Sequence, residues 1–199
     1  MVYRTSMLYW NVGNKNKNKK AIFSIVNGFE PKYDTHKWND NALIKKTHNC
    51  YAYVSDIINS SFNNKPQPGY ASGYSYISDN DIRKCDKMFE RIAGDNPSFI
   101  KSTYKKPCPK GYRKGYLAVD DESNTDYHFY RLDSNGYWSH KPGSTNAQDQ
   151  NFDGKKIIAP HKARRESNSH IYKKSCGYYC FKPEYGNLSN KPKNKKNKK

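Results

Sequence analysis

The stretch Thr47-His48-Asn49-Cys50-Tyr51-Ala52-Tyr53-Val54 places a cysteine where an apolar, helix-compatible run begins. Thr47 and Asn49 are suitable caps, and Ala52, Val54, Ile57 and Ile58 supply one apolar surface, so Cys50 to Ile58 reads as a helix. A thiol at a helix start feels the positive end of the backbone dipole, which favours thiolate. Further along come Asp126-Tyr127-His128-Phe129-Tyr130-Arg131, a turn, and Tyr137-Trp138-Ser139-His140. A helix-start cysteine, a strand histidine and a second polar group on the next strand make the skeleton of a nucleophilic thiol site. Cys50 is then the nucleophile, His128 the general base and His140 the group that orients it, which points to a cysteine hydrolase acting on an amide, peptide or isopeptide bond.

The turn decides whether the two histidines meet. Asp133-Ser134-Asn135-Gly136 has Asp first and Gly last, which suits a type I turn closed by a left-handed glycine and a bulge. In that register Asp133 faces Tyr137 and His128 faces Pro142, so His128 and His140 share a face on neighbouring strands. A tight two-residue turn at Asn135-Gly136 shifts the register by one and sends His140 to the other side.

Outward from these segments, Tyr116–Val119, Tyr127–Leu132 and Tyr137–His140 read as consecutive strands. A helix capped by Asp79 or Asp81 carries Ile82, Cys85, Phe89 and Ile92 at helical spacing and ends at Gly94, with Cys85 on its buried face. Between the two helices, Asn63 to Tyr76, with Pro66-Gln67-Pro68-Gly69 and Gly73, is a loop long enough to face a substrate. Helices ahead of an antiparallel sheet give an α+β plan. Residues 1–35 read as an N-terminal extension with a Lys/Asn tract, 36–183 as the core domain and 184–199 as a basic disordered tail. Tyr3–Val12 and Ala21–Val26 are strand-like runs within the extension.

The motifs resemble the NlpC/P60 and CHAP branch of the papain-like thiol hydrolases, where a helix-start cysteine precedes a sheet carrying His and then a second His, Asn or acid. Here Asn49 to Tyr53 stands for the first motif, and His128 and His140 have the family's twelve-residue hairpin spacing. Tyr51-Ala52 departs from that family's small polar pair. The chain also looks like a group of proteins from large DNA viruses and bacteria that share the motifs at 49–53, 66–69, 126–131, 138–143 and 176–178. The resemblance covers roughly residues 47–180. It implies a papain-like (NlpC/P60-like) core and, with the Asn/Lys/Tyr bias, a virion or host-cytoplasm location.

Composition bounds the rest. The chain has 199 residues, a hydrophobic fraction of 34% and a mean hydropathy of −1.15, so 18 Tyr and 3 Trp must supply much of a compact core. No run approaches the roughly twenty apolar residues of a membrane span. Met1 to Trp10 lacks the plan of a secretion signal, so export by that route is not expected. The net charge is +18. Lys15, Lys17, Lys19 and Lys20, with Lys191, Lys193, Lys195, Lys196, Lys198 and Lys199, supply more than half of it. They read either as solubility segments or as tethers for nucleic acid or another polyanion. Lys162, Arg164 and Arg165, with Lys173 and Lys174 around Tyr172, form a second basic stretch; together with Lys195 and Lys196 they are the candidate polyanion contacts.

Five cysteines are an odd number, so at least one is unpaired within the chain. Two disulfides plus a nucleophile fit the count, and so do five free thiols in a reducing compartment; the second reading is adopted. His161, His170 and Cys176 match no common zinc spacing, and Asp120-Asp121-Glu122 reads as a solvated turn, so no metal or cofactor is assigned. The competing functional reading is a non-catalytic structural or packaging virion protein that binds nucleic acid or neighbouring proteins through its basic tails.

Overall fold

The computed structural model describes residues 23–122, 124–166 and 171–192. The N-terminal lysine tract, the first strand-like run, His170 and the tail lysines Lys193, Lys195, Lys196, Lys198 and Lys199 lie outside the described residues. The architecture is α+β, with five short helices ahead of or beside an open five-stranded antiparallel sheet. No helix among the described residues is long and apolar enough to cross a membrane.

Side-chain caps fix the early helices. Asp34 caps α1 (Thr35–Asn39), Asn41 caps α2 (Ala42–Thr47) and Asn49 caps α3 (Cys50–Ser55), each accepting from backbone N–H groups of the first turn. Helix α3 stops at Ser55, short of Ile58, because Asp56 turns left-handed (φ 55°). Its carboxylate is drawn into ion pairs with Lys37, Arg113 and Arg131. The single helix expected from Asp79 to Gly94 is two, α4 (Asp79–Ile82) and α5 (Cys85–Asp95), separated by an extended Lys84. Ser78 caps α4 and Asp81 returns the bond, forming a capping box. Gly94 lies inside α5. A Cβ there would come within 2.5 Å of Ser72 Oγ, so the glycine serves close packing against the loop rather than termination.

The sheet has the order β1 (Ile100–Ser102), β5 (Lys174–Phe181), β2 (Arg113–Asp120), β3 (Asp126–Leu132), β4 (Trp138–His140). β2, β3 and β4 coincide with the expected strands to within a few residues. β1 and β5 are additions, and β5 occupies the place between β1 and β2. Its register against β2 slips between Leu117 and Ala118, where Cys176 is the extra residue of a bulge and Gly177 takes φ 113°.

Both faces of the sheet are buried. One packs Leu117, Val119, Phe129, Tyr179 and Phe181 against Tyr51 and Val54 of α3 and Met88, Phe89 and Ile92 of α5. The other gathers Tyr116, Ala118, Tyr130, Leu132, Trp138, Ile157, Tyr172 and Tyr178. Several phenol tips find partners, Tyr51 donating to Asp95, Tyr116 to Ser175 and Tyr172 to Asp126 while Tyr53 shares a hydrogen bond with Ser139, whereas the hydroxyls of Tyr130 and Tyr179 are buried without one among the described residues. This is how a chain of low hydropathy builds a dry interior. The described flanks join it. Trp138 donates to Ser24, and Asp95 and Gln67 bond residues 187 and 189.

The free-thiol expectation is corrected. Cys85 is bonded to Cys176 and Cys108 to Cys180, which leaves Cys50 as the one free thiol. Cys85 is therefore a half of a bridge between α5 and the β5 bulge and not a core thiol. The bridges span 91 and 72 residues, separations at which removing one typically costs about 2–5 kcal/mol. A Cys85→Ser/Cys176→Ser variant, and separately Cys108→Ser/Cys180→Ser, is expected to lose about that much in urea unfolding, and reduction of the native chain to lose more than either. An unchanged midpoint on full reduction would show that neither bridge constrains the fold.

Candidate functional site

Asn49 organises the surroundings of Cys50. Its Oδ1 accepts from Ala52 N–H, and its Nδ2 donates to Pro66 O at 2.9 Å and reaches Tyr127 Oη at 3.5 Å. One amide thus joins helix α3, the Pro66-Gln67-Pro68-Gly69 segment and strand β3. His48 is fixed just before it. Asn59 N–H donates to Nε2, so Nδ1 carries the proton and donates to Thr47 Oγ1, whose hydroxyl donates to Leu43 O. Burial lowers the pKa of His48 and keeps it neutral.

Cys50 is 4% exposed, and its Sγ points at Tyr127 O, 3.8 Å away. Burial, aided by the negative charge of Asp126, pushes the thiol up to about 12. Hydrogen bonds from the backbone of Phe129 and Tyr51 and the charge of Lys141 pull the other way and do not prevail. The expectation of a thiolate is thereby reversed. A six-residue helix supplies only a weak dipole, and loss of hydration outweighs it.

The hairpin has the register expected from its turn. Asp133 N–H donates to Tyr137 O, Gly136 takes φ 83°, and Tyr130 faces His140. His128 and His140 consequently share a face, diagonal to each other, with Nε2 of His128 and Nδ1 of His140 2.6 Å apart. His140 Nε2 lies 2.9 Å from Gln150 O, which can only accept, so that nitrogen carries the proton. Burial depresses His140 to about 4, so the ring is neutral and its Nδ1 accepts from His128 Nε2–H. Tyr172 stacks on His128 and Tyr130 on His140, with centroid distances of 5.0 and 4.9 Å.

Four polar residues around this centre escaped the sequence reading. Asp95 accepts from Gly69 N–H, Ser72 N–H, Ser72 Oγ and Tyr51 Oη. Arg91 donates to Pro68 O, Ser75 O and Tyr76 O and pairs with Asp81. The two hold the breaker-rich loop closed. Lys141, fully buried, donates to the carbonyls of Lys45, His48 and Gly143, and burial lowers its pKa to about 8. Arg131 is the fourth, bonded to Asp56, Asp133, Tyr53 O and Tyr53 Oη. Arg91 and Asp95 stand one turn apart on α5, a spacing that marks a polar stripe; the buried Lys141 left no such signal.

The basic stretch is largely spent on internal bonds. Arg165 donates to Pro160 O, Tyr172 O and Lys173 O, Arg164 pairs with Asp153, Lys173 with Glu122 and Lys174 with Asp121. Of these five side chains, Lys162 alone is without a hydrogen bond or ion pair among the described residues. The zinc alternative fails because Cys176 is in a disulfide and His161 bonds Tyr178 Oη. No group of three His, Cys, Asp or Glu suited to a metal occurs among the described residues. Asp120 is buried and accepts from the N–H groups of Glu122, Asn124 and Ile171, so it is a structural cap rather than part of a solvated acidic turn.

Native, oxidised protein is expected to resist iodoacetamide at neutral pH at Cys50 and to react there at once when unfolded in urea. Fast labelling of the folded chain would contradict the burial. The titration has a sign as well. A thiol raised from 9.0 to about 12 stabilises the fold fully below pH 9 and loses that contribution as pH rises towards 12. A Cys50→Ser variant, whose hydroxyl does not titrate there, is expected to lose less stability than the native chain over that interval in pH-dependent urea unfolding.

No family model matches the chain, and no solved structure matches it. Insoluble matrix shell protein 1 of Ruditapes philippinarum is 32% identical to it over 134 residues, which are 67% of this chain and 81% of that protein. The name describes a structural protein, and this relative overturns the expectation of a cysteine hydrolase or thiol protease. On the length and identity of this match, the chain belongs to the family of insoluble matrix shell protein 1.

Proposed function

We propose that this chain is a non-catalytic structural protein that takes its place in an insoluble matrix. The observation that carries the reading is its kinship with a shell-matrix protein over two-thirds of its length. The two disulfides support it, since such bonds persist in oxidising surroundings and suit a protein that must endure outside the reducing cytoplasm. The buried, protonated thiol of Cys50 supports it too, because only a thiolate is an effective nucleophile. In this reading the helix-on-sheet core keeps a papain-like arrangement as a scaffold. Cys50 at the start of α3 against β3, and the His128–His140 bond across β3 and β4, are what favour that architecture. Its partners are neighbouring proteins or anionic polymers, drawn by a net charge of +18.

Fractionation of producing tissue tests the proposal. The chain is expected to stay in the pellet after extraction with detergent and urea under non-reducing conditions, with both disulfides intact by mass spectrometry. A Cys50→Ala chain is expected to partition in the same way. Quantitative recovery in the soluble cytosolic fraction with reduced cysteines would refute the reading.

A further inference from the structure

The two disulfides differ in what surrounds them. Cys108 and Cys180 are 5% and 1% exposed, so that bond is sealed from solvent. Cys85 and Cys176 are both half-buried. Cys176 is the extra residue of the β5 bulge, between Ser175 and Gly177, which pair with β2. β1 pairs with Tyr178 to Cys180 and leaves Cys176 beyond its end. The bulge stands clear of close packing, since a Cβ built on Gly177 would meet nothing within 4 Å. An incoming sulfur therefore has room to approach Cys176.

The other half of the bridge is suited to leave. Cys85 is the first residue of α5, a helix of eleven residues, and Lys84 at the cap makes no side-chain hydrogen bond to the first turn. The positive end of the backbone dipole thus favours a thiolate at Cys85. Asp86, the acid of that turn, is paired with Lys101. Exposed Arg83 and Lys84 precede Cys85, and exposed Lys173 and Lys174 precede Cys176. Cys50 differs in every respect, on a six-residue helix with its thiol buried and protonated, so exchange has to begin with a thiol from outside. The joined elements also keep other ties. Met88, Phe89 and Ile92 hold α5 in the core, Lys174 Nζ donates to Arg83 O at 2.7 Å, and the Cys108–Cys180 bond secures β5. Opening the exposed bridge costs stability and leaves these contacts in place.

We propose that the Cys85–Cys176 bridge is a thiol–disulfide exchange site through which copies of this chain become covalently linked to one another. The proposal rests on the matrix reading for its setting and names the bond that would join the copies. An external thiolate, from a small thiol or a neighbouring protein's free cysteine, forms a bond to Cys176 Sγ. The Cys85–Cys176 bond breaks, and Cys85 departs as a thiolate with the electron pair. That thiolate attacks Cys176 of a second copy, forming a Cys85–Cys176 bond between the two and releasing the second copy's Cys85. Each step consumes one thiolate and one disulfide and returns one of each, so no oxidant is needed. Closure within one chain competes, and linkage between copies therefore gains with crowding, the condition of a matrix.

The test mixes equal amounts of isotope-labelled and unlabelled oxidised chain at about 1 mM, where contacts between molecules compete with tethered ones, with roughly a tenth of an equivalent of glutathione as the thiol. Exchange is stopped with acid, and the disulfide-linked peptides are read by mass spectrometry. A linked pair with one labelled and one unlabelled half arises only between copies. Mixed Cys85–Cys176 pairs are expected to exceed mixed Cys108–Cys180 pairs by about tenfold or more, because the second bond is sealed. Absence of mixed Cys85–Cys176 pairs, or mixed Cys108–Cys180 pairs in equal amount, would overturn the proposal. Either failure leaves the tissue fractionation result untouched and so separates this linkage from the structural reading itself.

Discussion

The buried guanidinium of Arg131 is the constraint on which the neighbouring elements depend. A charge withdrawn from water must have every donor answered, or the fold bears an uncompensated ion. Arg131 meets this by gathering groups from separate parts of the chain: Tyr53 O and Oη, the Asp56 carboxylate just beyond α3, Asp133 at the hairpin turn and, at 3.5 Å, Lys32 O in the N-terminal segment. The Tyr53 ring lies 4.0 Å beneath it. Helix α3 and the β3–β4 turn can close in only one relative placement if all of these bonds are to form. That placement sets Cys50 against β3 and also explains why Asp56 adopts a left-handed backbone at the end of α3.

Locally encoded features were legible in the sequence. The Asp133-Ser134-Asn135-Gly136 turn specifies its own hydrogen bonds and left-handed glycine, so the register that pairs His128 with His140 could be read without knowing what lay around it. The same is true of Asn49 as a cap and of strands β2 to β4. Features that depend on distant partners were not legible. Strand β5 carries a lysine, a glycine and two cysteines and becomes a strand because β1 and β2 leave a place between them. The disulfides follow from that placement, since nothing in the spacing of the cysteines selects their partners. The state of Cys50 likewise followed from how deeply tertiary packing buries it, and no helix start announces that.

The site shows how one geometry can sustain very different readings. A cysteine at a helix start, two histidines joined on adjacent strands and a glycine-and-proline loop nearby satisfy the outline of a thiol hydrolase. Outline is not chemistry. The thiol is held protonated, His140 is held neutral by burial, and the loop is fastened by Asp95 and Arg91. Each of these groups rigidifies the region it occupies.

The position of β5 has a consequence for how the molecule is made. It follows the other four strands in the chain yet separates β1 from β2, and both bridges close upon it. During synthesis β2, β3 and β4 can pair by short connections as they emerge, but the first strand has no neighbour until residues 174–181 leave the ribosome. Oxidation is bound to the same order, because Cys85 and Cys108 meet their partners only then. Assembly from the N-terminus therefore ends in an insertion, and until that step Cys85, Cys108 and the facing edge of β2 stay open to other molecules.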